Sequence, residues 1–200
     1  KDAKIAQRAL GGASAARACY AQDYTGLKIL HTIYDRCLQE NIEMKNEKYL
    51  LELLKDEEGR VKGAKVLDIR SGEVEVYEAN AVIMASGGYS RIYDKNSTNS
   101  TASTGDGIAV ALRAGAKLID MEFIQFHPTG LKGSSILISE SARGEGGHIV
   151  NSKGVRFTNE LAPRDEHSRA INAEIAKGEQ VFLDIRHLGE ELINEGLPQE

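Results

Sequence analysis

Positive charge is not in excess: 25 Lys and Arg stand against 30 Asp and Glu, for a net charge of −5. That removes the electrostatic case for a nucleic-acid partner. No apolar run reaches the roughly 18 residues of a membrane-spanning helix. There is no CxxC pattern. Cys19 and Cys37 are the only cysteines, far apart and in segments that read as helical. They are expected to be buried thiols in a reducing compartment rather than a disulfide or a metal site. No internal repeat, low-complexity tract or signal-peptide pattern is visible, and Lys1 does not read as a native start. What is present is ordinary globular composition, with 41% apolar and 28% charged residues. Its length of 200 residues suits one large domain or two small ones.

Residues 5–21 contain Gly11-Gly12 before an alanine-rich helix start. That step is either a plain turn or a close approach to a ligand phosphate. Residues 25–39 carry Leu27, Leu30, Ile33, Tyr34 and Leu38 at helical period, with Ile29 and Cys37 widening the face that would be buried. His31 is expected there as a satisfied core histidine. Residues 49–55, 61–69 and 73–77 read as a β-meander with one wet face. The apolar run 81–85 suits a strand buried on both faces, and it ends in Ser86-Gly87-Gly88. Such a strand end is where α/β folds place dinucleotides, although many strands simply end at glycine.

Residues 96–104 form a loop rich in Ser, Thr and Asn, leading to Thr104-Gly105-Asp106-Gly107 and a helix. Thr104 or Asp106 is expected to cap that helix and Gly115 to end it. A strand is expected from residue 117. Within 121–147, Pro128 keeps His127 out of helix, and 135–138 reads as a short strand with Ser139 and Glu140 at its end. Arg143 and the glycines 144, 146 and 147 follow. The residues alone leave two readings open, a polar loop closing a hairpin or a small-anion site. Beyond it, a hairpin is expected around Lys153-Gly154, a helix at 166–177 entered through Pro163 and Arg164, a strand at 181–185 and a short helix at 187–195.

Seven ordered blocks resemble the flavoprotein subunit of succinate dehydrogenase and fumarate reductase. They are TGLKILHTIYDRC, AVIMASGGYSRIY, STGDGIAVALRAGA, DMEFIQFHPTGL, LISESARGEGG, APRDEHSRAI and FLDIRHLGEE. The resemblance runs from about Gly11 to the end and covers the middle of such a subunit, so the chain is expected to be a fragment. It implies an α/β fold with an α+β cap. Residues 1–121 would belong to the FAD-binding domain, including its β-meander, and 122–200 to the capping domain.

The resemblance also implies roles. Asp106 would contact FAD, with Ala85, Ser86 and Gly87 packed on its adenosine half and Asn99 and Thr104 lining it. His127 and Ser139 would bind the substrate carboxylates, Ser139 standing where the family usually has threonine. Glu140 and Arg143 would relay protons to Arg164, the active-site arginine. Implied partners are a dicarboxylate (succinate or fumarate), an iron–sulfur subunit, a membrane anchor and the quinone pool. The implied location is cytoplasmic, peripheral on the inner membrane. Leu27 replaces a family histidine, and the segment from Phe157 to Arg164 is short. L-Aspartate oxidase shares several of these patterns. A non-catalytic module is the third alternative for a chain with half of an FAD site.

Overall fold

The computed structural model describes residues 5–8, 10, 13–134 and 136–198. Gly11 and Gly12, and Ser135 of the expected strand 135–138, lie outside the described residues. The chain divides into two compact units, one made of 1–41 with 125–200 and the other of 42–124. Among the described residues no helix is long and apolar enough to cross a membrane.

In the first unit the chain begins with a two-residue pairing of β1 (Gln7–Arg8) against β2 (Ala18–Cys19). The alanine-rich stretch is therefore not a helix start. Propensity alone does not sustain a helix that has no apolar face to bury. Cys19 is exposed on β2, which corrects the expectation of a buried, helical thiol, and Cys37 is half-buried. Helix α1 (Thr25–Gln39) forms over the expected span, yet none of its residues is buried. Leu30 is 63% exposed and Ile33 58% exposed, and His31 is exposed instead of sitting in a core. Periodicity marks which face of a helix could be covered; it does not supply the cover.

The second unit holds the meander. β3 (Lys48–Lys55), β4 (Val61–Asp68) and β5 (Val74–Glu78) form an antiparallel sheet in that order. Lys48 ties all three strands, reaching Asp68 at 2.5 Å and Glu75 at 2.8 Å. Helix α2 (Asp106–Arg113) packs on β3, and Leu53, Val66 and Val110 are buried. The cap differs from expectation. Gly105, at φ +82°, occupies the N-cap position with no side-chain cap bond. Gly115 ends the helix as expected, at φ +98°. Residues 81–85 form no strand, and Ile83 is 91% exposed. A central strand exists only through its neighbours' ladders, and no described segment supplies one. Residues 117–119 are likewise irregular.

The rest of the first unit runs from residue 125, and its first helix is α3 (Glu140–Gly144). In place of a strand at 135–138 there is a single bridge, Gly130 to Leu137. β6 (His148–Asn151) follows, then α4 (Arg164–Ala176), β7 (Val181–Asp184) and α5 (Glu190–Gly196). β6 and β7 pair antiparallel, and Val150 bridges Arg156 across the expected turn. Two glycines let α3 turn back into β6. Gly146 sits at φ +106°, and a Cβ on Gly147 would lie 2.6 Å from the Ala142 carbonyl oxygen.

Candidate active site

In the first unit, Ser139 begins α3, its hydroxyl accepting from the Ser141 amide at 3.1 Å. One helical turn separates Glu140 from Arg143, so both side chains leave the same face. Arg164 enters from the first turn of α4, directly after Pro163. The three meet. Arg164 Nη2 donates to Glu140 Oε2 at 2.5 Å, and Arg143 Nη2 faces Glu140 Oε1 at 3.7 Å. One carboxylate thus lies between two guanidiniums, and the trio carries a net single positive charge.

The Arg143 side chain is entirely enclosed while that of Arg164 is 34% exposed. The chain of charge therefore runs from a buried end to an open one. Burial pulls the Arg143 guanidinium below its ordinary value, helped by the Arg164 charge and opposed by Glu140. Arg164 Nη1 also donates to Gln125 Oε1 at 3.0 Å.

His127 belongs to the same electrostatic cluster. Burial first, then the Arg164 and Arg143 charges, press its imidazole below its usual range. Its Nδ1 lies 3.0 Å from the Thr129 carbonyl oxygen and 3.3 Å from the Thr129 amide nitrogen. One tautomer donates to the carbonyl. The other accepts from the amide and leaves Nε2–H free to donate elsewhere. All five expected residues, His127, Ser139, Glu140, Arg143 and Arg164, thus fall in one compact unit. The apolar cavity of about 720 Å³ in that unit is lined by Leu131, Ile138, Ile171 and Phe182 among others, and by none of the five.

Residue patterns did not single out Gln125, Glu160 or His167. Gln125 lies two residues before His127, the spacing that puts side chains on one side of an extended segment. His167 lies three residues after Arg164 on α4, on the same helix face. Glu160 is buried and takes the Ile149 amide at 3.0 Å and Arg156 Nη2 at 2.7 Å. Nothing in its sequence surroundings signals that.

The second unit holds all six residues expected at FAD. A Cβ on Gly107 would lie 1.8 Å from Ser86 Oγ, and one on Gly105 would lie 2.8 Å from Tyr89 Cβ. The Ala85–Ser86–Gly87 loop therefore rests on the start of α2, and only glycine permits the approach. Gly87 itself is at φ +72°. Thr104 Oγ1 donates to Asp106 Oδ2 at 2.5 Å. The Asp106 carboxylate also takes the Tyr49 hydroxyl, which with burial raises that phenol. Asn99 stands apart. Its backbone N–H donates to Ser97 Oγ at 3.2 Å, and among the described residues no hydrogen bond joins its side chain to the cluster. Exposed oxygens on Ser86, Thr104 and Asp106 around a glycine-floored helix start fit one wall of a nucleotide site.

The whole chain, residues 1–200, matches the FAD binding domain family. It is 40% identical over its full length to the 8-methylmenaquinol:fumarate reductase flavoprotein subunit of Wolinella succinogenes, covering 35% of that protein. It is 40% identical over 99% of its length to the succinate dehydrogenase flavoprotein subunit of Rickettsia felis, covering 37% of it. A solved quinol-fumarate reductase with menaquinol superposes at a TM-score of 0.89 with 40% identity, over 98% of this chain and 38% of that one. The chain spans a little over a third of the length of these relatives. It belongs to the FAD binding domain family, as an α/β chain whose relatives there include flavoprotein subunits of fumarate reductase and succinate dehydrogenase.

Proposed function

We propose that the chain is the central part of an FAD-dependent oxidoreductase subunit that interconverts succinate and fumarate. Residues 1–121 would serve the cofactor and 122–200 the dicarboxylate. The observation that carries this reading is Glu140 held between Arg143 and Arg164. Ala85, Ser86, Gly87, Asn99, Thr104 and Asp106 would hold FAD, which when bound would supply the two-electron donor and acceptor.

Everything else is the work of this chain's side chains. A dianionic substrate needs cations and hydrogen-bond donors, and Arg164, His127 in its Nε2–H tautomer, and the Ser139 hydroxyl provide them. Double-bond reduction also needs a proton at the carbon that does not receive hydride. An arginine keeps its proton in water, with a pKa above about 12. Arg164 gives it up only where a second cation crowds it and a carboxylate can restore it, which is the disposition of Glu140 and Arg143. Oxidation of succinate runs the same transfers in reverse.

The names of the relatives, with fumarate reductase and menaquinol among them, support coupling to a quinone pool. Partner subunits, iron–sulfur and membrane-anchoring, go with that reading, as does a place on the cytoplasmic face of the inner membrane. In the full-length protein, Arg164→Lys is expected to lower turnover by at least about 10³-fold while FAD stays bound. Steady-state assay beside the visible flavin spectrum reads this, and near-normal turnover sinks the assignment.

A further inference from the structure

His167 has no part in the reaction above, yet its ring is fully buried beside the residues that do. Its Nδ1 lies 3.4 Å from Thr158 Oγ1, and the ring donates to the Asn159 carbonyl. With the ring proton on Nδ1, the nitrogen that lies beside Thr158, Nε2 is a bare acceptor. Among the described residues, Nε2 has no hydrogen-bond partner.

Arg143 presents the opposite deficit. Its Nη1 donates to the Glu160 carbonyl at 3.0 Å. Its Nε and Nη2 are buried without a hydrogen-bond partner among the described residues, and Nη2 is 3.7 Å from Glu140, beyond hydrogen-bond reach. A buried acceptor without a donor and a buried guanidinium with two of its three nitrogens unpartnered, in one cluster, are both costly. A water between them would satisfy both, accepting from the guanidinium and donating to the imidazole.

We propose that His167 is a positioning residue for Arg143: one buried water links its Nε2 to the Arg143 guanidinium and fixes the face Arg143 turns to Glu140. The effect on turnover rests on the function proposed above; the water and the orientation do not.

The groups facing His167 are Arg143 from α3, Glu160 from the segment before α4 and His127 from the segment before Pro128. Burial, then Arg143, then His127 hold the imidazole below its usual value, with the Asn159 carbonyl and Glu160 opposing. The neutral ring is the state in which Nε2 accepts. Acid removes that acceptor and sets a further cation beside Arg143. The unfolded chain takes up this proton first, so stability is lost as pH falls through the unfolded value of about 6.5.

The test compares wild type, His167→Gln and His167→Val in the full-length, FAD-loaded protein. The amide oxygen of glutamine keeps an acceptor that cannot titrate, and valine keeps none. The valine variant is expected to lose about ten- to a hundredfold in kcat with flavin retained. Glutamine should restore kcat to within about threefold, and both should flatten the acid-side fall in melting temperature between about pH 7 and pH 5. A crystal structure of the wild type should show a water within hydrogen-bond reach of His167 Nε2 and an Arg143 nitrogen. Wild-type kcat in His167→Val, glutamine performing no better than valine, or a dry gap between the two side chains each overturns the proposal. Should the valine variant not fold, the glutamine variant and the water decide. A wild type inactive on succinate and fumarate removes only the proposed function, since the melting profiles and the water still judge His167.

Discussion

A carboxylate shared by two guanidiniums is costly to assemble unless each charge keeps a partner. Glu140 keeps both, and Arg143 is further anchored by the Glu160 carbonyl. A second charged cluster shows the same pairing at a partly buried site. Lys48 holds Asp68 well below the usual carboxylate range, to about 2, with help from the Ser71 and Arg70 amides. A depressed folded value means that the unfolded chain binds the proton first as pH falls. The stability this contributes is complete above the unfolded value of about 3.9 and is lost from there down through about 2. Acid titration of hydrogen exchange in β3, β4 and β5 should show that loss, and Asp68→Asn should remove it. An unchanged profile in the variant assigns the acid sensitivity elsewhere.

Among the elements, α3 has five residues and cannot hold its shape by helix formation alone. It is held by the Ser139 cap and by the return of the chain through Gly146 and Gly147. A methyl on Gly147 meets backbone at Ala142 and the Ile185 side chain at 3.1 Å. Gly147→Ala should therefore cost about 1–3 kcal/mol and displace Glu140 and Arg143 together. The check is melting temperature beside kcat, and a fully stable, fully active variant would show that the turn yields freely. Gly107 plays the matching part in α2. Gly107→Ala drives the Ser86 hydroxyl away from the helix start. In the full-length protein flavin content should fall while the β3–β5 amides stay protected, which visible absorbance and hydrogen exchange measure.

For the whole molecule, exposure is the main fact. No residue of α1 is buried, and Leu27, Leu30, Ile33 and Leu38 are each about half exposed or more. A stripe of that size is apolar surface left open to solvent in this chain. The chain spans only 35% of the Wolinella relative, and its expected cofactor residues make one wall of a site. The isolated 200-residue chain should therefore purify nearly colourless and bind an apolar fluorescent dye. A yellow preparation with one flavin per chain would refute this.

What could be read from residue order alone is what depends on local period and backbone chemistry. The three strands of the meander, α1, the end of α2 at Gly115 and the β6–β7 segments follow from apolar spacing and glycine. Ser139, Glu140 and Arg143 stand close together in the sequence, but the short helix that puts Glu140 and Arg143 one turn apart is not legible there; a strand end is expected instead. Tertiary structure decided everything that needs a second segment. Residues 81–85 have the composition of a central strand but no ladder, because hydrogen-bonding neighbours are not encoded in the strand itself. Glu160 and His167 look like surface residues in the sequence and are buried in the fold. Only the meeting of α3 with α4 brings Arg164 onto Glu140 across 24 positions of chain, because charge pairing acts through space while pattern acts along the backbone.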